Sequence, residues 1–331
     1  MITTRTPFRI SFVGGGSDLP AYYSKHGGAV LSCTIAKYVY VSSHDFFERD
    51  QIRLKYSDVE TVREINEIRH PLLRAILTRL KTHSGVEITS IADVPAGTGM
   101  GSSSSFTVAT LHNLMCRAGR QAQATKKWLA EQACAVELLD LNEPIGKQDQ
   151  YAAAYGGFNI YRFNSDETVD ISPVPLKDTE GWRSHLRLYY LGSQRSASAI
   201  LAEQTRETQS IRKQEVLHDM VALVNPFSNA LCCGDWTEAG KLMNENWKLK
   251  TVLASGITNA EIDAIYEKAM KSGAVGGKLL GAGGGGFMLF VAPPDAQVRL
   301  DEQLQTLRPV DFEWDVEGSC IILQANNLSR K

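Results

Sequence analysis

The chain has 331 residues, 43% of them hydrophobic and 22% charged, with a formal net charge of −2. That length suits two domains of roughly 150 residues each, and a near-neutral balance gives no electrostatic case for nucleic acid or an anionic membrane as partner. No apolar run approaches the ~18 residues of a membrane-spanning helix, residues 1–7 lack the apolar core of a signal peptide, six scattered cysteines without C-x-x-C read as reduced thiols in a cytoplasmic protein, and the histidines show no zinc-binding spacing.

Residues 8–13 alternate and predict a strand. It ends in Gly14, Gly15, Gly16, Ser17 and Asp18, a sharp turn that delivers an acid. Three glycines after a strand imply a tight bend or a close approach by another group. Strands follow over 29–35 and 38–43, with 52–56 as a hairpin partner. Residues 70–82 predict a helix opening on Pro71, and 86–91 a strand. That strand feeds Val94-Pro95-Ala96-Gly97-Thr98-Gly99-Met100-Gly101-Ser102-Ser103-Ser104-Ser105, around which the chain is organised.

Alternating glycines, then serines, then an apolar-periodic run to residue 115 make a glycine-rich loop that opens a helix. Such a helix end offers unpaired N–H groups and partial positive charge to a phosphate, and glycine lets the backbone come close. Serine hydroxyls there can cap the helix, donate to phosphate or ligate Mg²⁺. No Gly-Lys-Ser/Thr follows, so this is not a Walker loop, and the third glycine of the dinucleotide fingerprint is missing.

Residues 126–141 have a helical period with Trp128, Leu129, Ala133, Val136 and Leu139 inward, and Glu131 and Glu137 on the same helix. Pro144 ends it. A loop from 145 with a small-residue run precedes a strand at 158–163. The polar, proline-containing stretch 164–181 marks a boundary between domains 1–170 and 171–331. Then come a strand at 186–191, a long helical region over 196–225 broken near Arg212 or later, and helices at 236–247 and 259–272. A second glycine loop at 278–286 runs into a strand at 287–292. A helix at 296–307 and a strand at 320–324 complete the chain.

Pro95-Ala96-Gly97-Thr98-Gly99-Met100-Gly101-Ser102-Ser103-Ser104-Ser105 resembles the P-x-x-x-G-L-G-S-S-A/S signature of the GHMP kinases, the group of galactokinase, homoserine kinase, mevalonate kinase and phosphomevalonate kinase. The stretch from Thr6 to Asp18 looks like that family's first motif, with Gly15-Gly16 where Glu-His are usual. The stretch from Lys278 to Phe287 looks like its third, K-x-T/S-G-A-G-G-G-G. The variant first motif, together with Gly146-Lys147-Gln148-Asp149-Gln150-Tyr151 and the run to Gly157, looks like the D-glycero-D-manno-heptose 7-phosphate kinase branch.

The resemblance implies an α+β, GHMP kinase-like two-domain fold. Its N-terminal domain would be similar to ribosomal protein S5 domain 2 and its C-terminal domain ferredoxin-like. It implies ATP and Mg²⁺, with nucleotide on Pro95, Gly97, Gly99, Met100, Gly101, Ser102, Ser103 and Ser104. Ser103 and Glu137 match the family's metal positions, Asp149 its catalytic aspartate and Arg9 its first-motif cation. Asp18 matches an aspartate that binds sugar hydroxyls, although capping the glycine turn is its other reading. Gly14, Gly15, Gly16 and Ser17 fall to the substrate, as do Gly283 and Gly284, in a third motif that would brace the loop. Chemically, Asp149 can accept the proton of an attacking hydroxyl and Arg9 can stabilise developing charge.

The expected activity is ATP-dependent phosphorylation of the anomeric hydroxyl of D-glycero-D-manno-heptose 7-phosphate. A kinase of an unphosphorylated sugar (L-fucose or galactose type) and a non-catalytic sugar sensor are the alternatives. A 7-phosphate needs a cation or a helix N-terminus, and Arg195, between the strand ending at Leu191 and the helix near Ser196, is the candidate. Partners are expected to be small molecules, with a homodimer left open.

Overall fold

The computed structural model describes residues 1–192, 197–208 and 210–325. The chain begins β1 (Ile2–Val13), α1 (Pro20–His26), β2 (Gly28–Asp45), β3 (Ile52–Lys55), β4 (Val59–Val62), α2 (Pro71–Leu80), β5 (Val86–Ala92) and α3 (Ser102–Arg117). It continues α4 (Lys126–Cys134), α5 (Gln148–Tyr155), β6 (Phe158–Phe163), β7 (Val169–Pro173), α6 (Thr179–Ser184) and β8 (Leu186–Tyr190). Helices α7 (Ala197–Glu207), α8 (Ile211–Ala222), α9 (Val224–Cys233), α10 (Trp236–Thr251) and α11 (Ala260–Lys271) follow. The last elements are β9 (Gly276–Leu279), β10 (Phe287–Val291), α12 (Pro294–Gln303), β11 (Arg308–Pro309), β12 (Trp314–Asp315) and β13 (Cys320–Gln324).

The larger sheet has the order β13-β1-β2-β5-β3-β4, with β12 and β6 also on β2 and β7 on β6. The smaller has the order β11-β8-β10-β9. Thus the end of the chain returns to the first sheet, where β13 pairs with β1 and β12 with β2.

The two expected strands at 29–35 and 38–43 are one strand, β2. Pro7 pairs with Tyr38 and Phe8 with Ile35, so Ala36 and Lys37 bulge out between consecutive partners; a local bulge breaks the alternation without ending the strand. Strand β3 does have its hairpin partner, but that partner is β4, which the sequence reading did not propose, and β3 then runs parallel to β5. The region at 196–225 breaks ahead of Ser210, whose hydroxyl caps α8 by accepting from Lys213 N at 3.3 Å, and again at Leu223 between α8 and α9.

Two hydrophobic cores meet at the smaller sheet. In β10, Phe287, Leu289 and Val291 join the core of the larger sheet while Met288 and Phe290 face the second core with Leu217, Met220 and Trp247. Both faces are covered, so β10 reads as an unbroken apolar run rather than an alternating one.

Two further differences bear on the site. Helix α4 passes into a π-helical stretch, Ala135–Asp140, closed by an N–H of Leu141 donating to Val136 O at 3.1 Å. The wider turn shifts the helical phase, so Leu139, expected inward, is 71% exposed while Glu137 is fully buried. The small-residue run expected as loop is helix α5. Its apolar positions show no one-sided pattern because Gln150 through Ala154 are all buried.

A candidate active site

Six segments converge on one cavity of about 260 Å³: the end of β1 with its glycine turn, the loop before α3, the start of α5, α7, α10, and the loop between β9 and β10. Gly97, Gly99, Gly101, Ser102, Ser103 and Ser104 all line it. Helix α3 starts at a left-handed Gly101 with no side chain capping it, which leaves its positive end available to an anion. Pro95 and Met100 do not line the cavity. Pro95 O accepts from Thr98 Oγ1 at 2.8 Å, and the Met100 side chain is buried in the core.

At the centre stands an ion pair. Arg9, only 4% exposed, donates Nε to Asp149 Oδ1 at 2.7 Å and Nη2 to Asp149 Oδ2 at 2.8 Å. Its Nη1 donates to Gly99 O at 2.6 Å, and its backbone N to Met100 O at 3.1 Å. One guanidinium therefore fixes both the acid and the glycine loop. A two-pronged pair of this kind is the strong, directional sort. Asp149 is in the first turn of α5 and lines the cavity beside Arg9.

Glu137 lies beneath the start of α3. Ser103 Oγ donates to its Oε1 at 2.7 Å, Ser104 Oγ to Oε2 at 2.8 Å and Gln150 Nε2 to Oε2 at 2.6 Å. Burial pushes its carboxyl above the usual range, with these hydrogen bonds opposing. Ser103 faces the cavity and Glu137 does not. A hydroxyl and a carboxylate are the oxygen types a hard ion takes, but Glu137 is fully buried and meets the cavity only through the Ser103 hydroxyl bonded to it.

Asp18 caps the glycine turn, as one of its two readings has it, and it stands at the cavity. Its Oδ1 accepts from Gly16 N at 2.9 Å and its Oδ2 from Gln148 N at 3.3 Å, so it ties the glycine turn to the head of α5, and it also lines the cavity. Burial, then the charge of Asp149, raises its pKa. Gly15 and Gly16 line the cavity, whereas Gly14 and Ser17 are turned inward: Gly14 N donates to Asn246 Oδ1 at 2.9 Å and Ser17 Oγ to Gly14 O at 2.8 Å. Gly283 and Gly284 do not line it either. They pack against Ile257, and it is Gly281 and Ala282 that reach the cavity. Arg195 lies outside the described residues.

The sequence reading missed Lys250, Ser11, Gln148 and Gln204, which all line the cavity. Lys250 comes from α10, is buried, and donates its Nζ to Gly281 O. Burial, reinforced by Arg9, lowers its pKa to about 8. Behind it, Lys278 of the third glycine stretch donates its Nζ to Phe12 O at 2.8 Å, joining that stretch to β1. Gln148 was within reach as the neighbour of Asp149, but Lys250 and Gln204 look like any polar residue on an amphipathic helix.

Comparison with known proteins bears on the family and the fold. Residues 67–157 match the profile described as GHMP kinases N terminal domain, and residues 222–306 that of GHMP kinases C terminal. D-glycero-alpha-D-manno-heptose 7-phosphate kinase of Campylobacter jejuni is 27% identical over 344 residues, covering 96% of this chain and 97% of that protein. L-fucokinase/L-fucose-1-P guanylyltransferase of Bacteroides fragilis is 28% identical over 347 residues, covering 92% of this chain and 36% of that longer protein. The crystal structure of a D-glycero-D-manno-heptose 1-phosphate kinase from Bacteroides thetaiotaomicron shares the fold, with a TM-score of 0.80 at 23% identity over 98% of this chain and 100% of that one.

Proposed function

The chain belongs to the GHMP kinases and is an ATP-dependent sugar kinase, and we propose that its acceptor is D-glycero-D-manno-heptose 7-phosphate, phosphorylated on the anomeric hydroxyl. The observation that carries this reading is the Arg9–Asp149 pair, set in the cavity beside the uncapped start of α3. The full-length likeness to a heptose 7-phosphate kinase supports the choice of sugar.

In the proposed reaction the ATP phosphates lie on the loop 97–104, against the N–H groups at the start of α3. The anomeric oxygen forms its bond to the γ-phosphorus as the bond to the β,γ-bridging oxygen breaks, and ADP leaves. Asp149 orients the attacking hydroxyl and takes its proton. Arg9 holds Asp149 in place and, with Lys250, meets the negative charge on the transferring group. Ser103 and Glu137 would hold Mg²⁺, which when bound neutralises phosphate charge. Arg195 is proposed, on the sequence alone, to hold the distal phosphate. Residues 1–170 and 171–331 are proposed as the two domains, with β12 and β13 crossing back to complete the first domain's sheet, and a reducing, cytoplasmic location is supported by six free cysteines.

A free sugar is the second reading, favoured by the identity to a protein whose name includes L-fucokinase. ADP release would be followed with heptose 7-phosphate, heptose 1-phosphate, the free heptose, L-fucose and galactose, and phosphorus NMR would place the new phosphate. A charge-assisted grip on the distal phosphate predicts kcat/KM at least ~10-fold higher for the 7-phosphate than for the free heptose. Equal use of the two would overturn the assignment.

A further inference from the structure

One wall of the cavity carries polar atoms with nothing to bond. Ser11 Oγ, Gln148 Oε1 and Gln204 Nε2 are buried, and none has a hydrogen-bond partner among the described residues. All three residues line the cavity, and Ser11 and Gln204 are 4% and 2% exposed. Leaving a buried polar atom unpaired is costly, and native proteins hold few such atoms. These three come from separate elements, β1, α5 and α7, so no single local irregularity accounts for them.

The glycine turn explains how they gather. A β-carbon on Gly16 would stand 2.5 Å from Gln204 Nε2, closer than any real contact. One on Gly15 would stand 3.3 Å from Ser11 Oγ and 3.8 Å from Gln148 Nε2. The turn is bare at the two positions around which the trio assembles. Ser11 can donate and accept, and each glutamine amide brings both a carbonyl oxygen and an NH2 group. Sugar hydroxyls, which both donate and accept, match this set. A phosphate matches it less well, because the Asp18 carboxylate stands at the same turn, bonded to Gly16 N and Gln148 N.

We propose that Ser11, Gln148 and Gln204 form the subsite that reads the ring hydroxyls of the acceptor and so determine which sugar is used, an inference that rests on the sugar-kinase reading. The test begins with the wild-type chain, the acceptor it uses best, and analogues of that acceptor each lacking one non-anomeric hydroxyl. A site built to bond a hydroxyl rejects the analogue without it, so at least one analogue should lose ~100-fold or more in kcat/KM. Ser11→Ala and Gln204→Leu should each raise the acceptor KM by about 10-fold, the equivalent of one lost hydrogen bond, with the KM for ATP unchanged. Each variant should also discriminate less between the acceptor and one deoxy analogue.

Analogues used as well as the parent sugar would mean that water satisfies these atoms, and the proposal would fall; this arm needs no variant to fold. Variants that bind ATP normally with an unchanged acceptor KM would overturn it equally. A wild type that prefers a free sugar would sink the 7-phosphate assignment alone, since the deoxy series is then read on that sugar.

Discussion

A β-carbon placed on Gly281 would lie 2.3 Å from the α-carbon of Gly99. The two glycine loops, one before α3 and one between β9 and β10, thus touch backbone to backbone. A β-carbon on Gly99 would in turn meet Leu280 O at 2.4 Å. Gly281 has φ +71, so alanine there adds left-handed strain of about 1–2 kcal/mol to a clash with backbone that cannot rotate away. We expect Gly281→Ala to raise the KM for ATP at least ~10-fold, equivalent to ~1.4 kcal/mol, and to lower Tm. Gly119, at φ +70 with open space around it, is the control: Gly119→Ala adds the strain without the clash and should leave the KM for ATP alone. Matching ATP constants in the two variants would show that the loops are not coupled.

Asp149→Asn keeps the size of the side chain and one acceptor for Arg9, but removes the charge and the base. We expect kcat to fall by ~100-fold or more, the scale of a positioned acid–base group. ATP affinity should change little, because the loop amides are untouched. Turnover near wild type would take Asp149 out of the mechanism.

Ser103 and Glu137 can be tested through the metal. Glu137→Gln and Ser103→Ala each remove charge or an oxygen donor, so each should increase the Mg²⁺ needed for half-maximal rate. Ser104→Ala is the comparison, because Ser104 donates to the same carboxylate but carries no proposed metal role, and its Mg²⁺ requirement should shift less. Titrations of Glu137→Gln and Ser103→Ala that overlay wild type would leave the cluster as a structural link between α3 and the π-helical stretch.

Part of this site was legible from residue order and part was not. The loop at 97–104 declares itself because its glycines and serines have few other uses ahead of an apolar helix. Arg9 and Asp149 stand 140 positions apart and were brought together only by their places in motifs. By helical pattern alone Glu137 is one more helix glutamate, and only its match to the family's metal position singles it out, since nothing in the pattern marks where an α-helix widens into a π-turn and rotates a carboxylate inward. The glycines at 283 and 284 stand out through their place in the third motif, yet their bare backbone serves Ile257 rather than the cavity. Lys250 was invisible for a different reason. Its place at the cavity depends on burial, and burial of a helix lysine is a property of the assembled cores.

Lys250 gives the last prediction. Its pKa is lowered to about 8 by burial first and by the charge of Arg9 second, while Asp18 and Asp149 pull the other way. In the unfolded chain the amine titrates near ~10.4. Between these values the unfolded state binds more protons, so this residue makes unfolding harder as pH rises from about 8 toward 10. Below about 8 both states are protonated and its full penalty stands, on the order of 3 kcal/mol from the gap between the folded and unfolded values. Catalysis should move the opposite way, because the proposed role needs the charge: kcat/KM should fall as pH rises through about 8. Lys250→Met should flatten that descending limb, lower kcat/KM at pH 7 by ~10-fold or more for the lost charge-assisted contact, and raise Tm at pH 7, with the gain shrinking toward pH 10. The bond lost to Gly281 O offsets some of that gain. Profiles of rate and Tm against pH in both proteins decide it. If Lys250→Met keeps the wild-type rate profile, the charge on Lys250 plays no part in phosphoryl transfer.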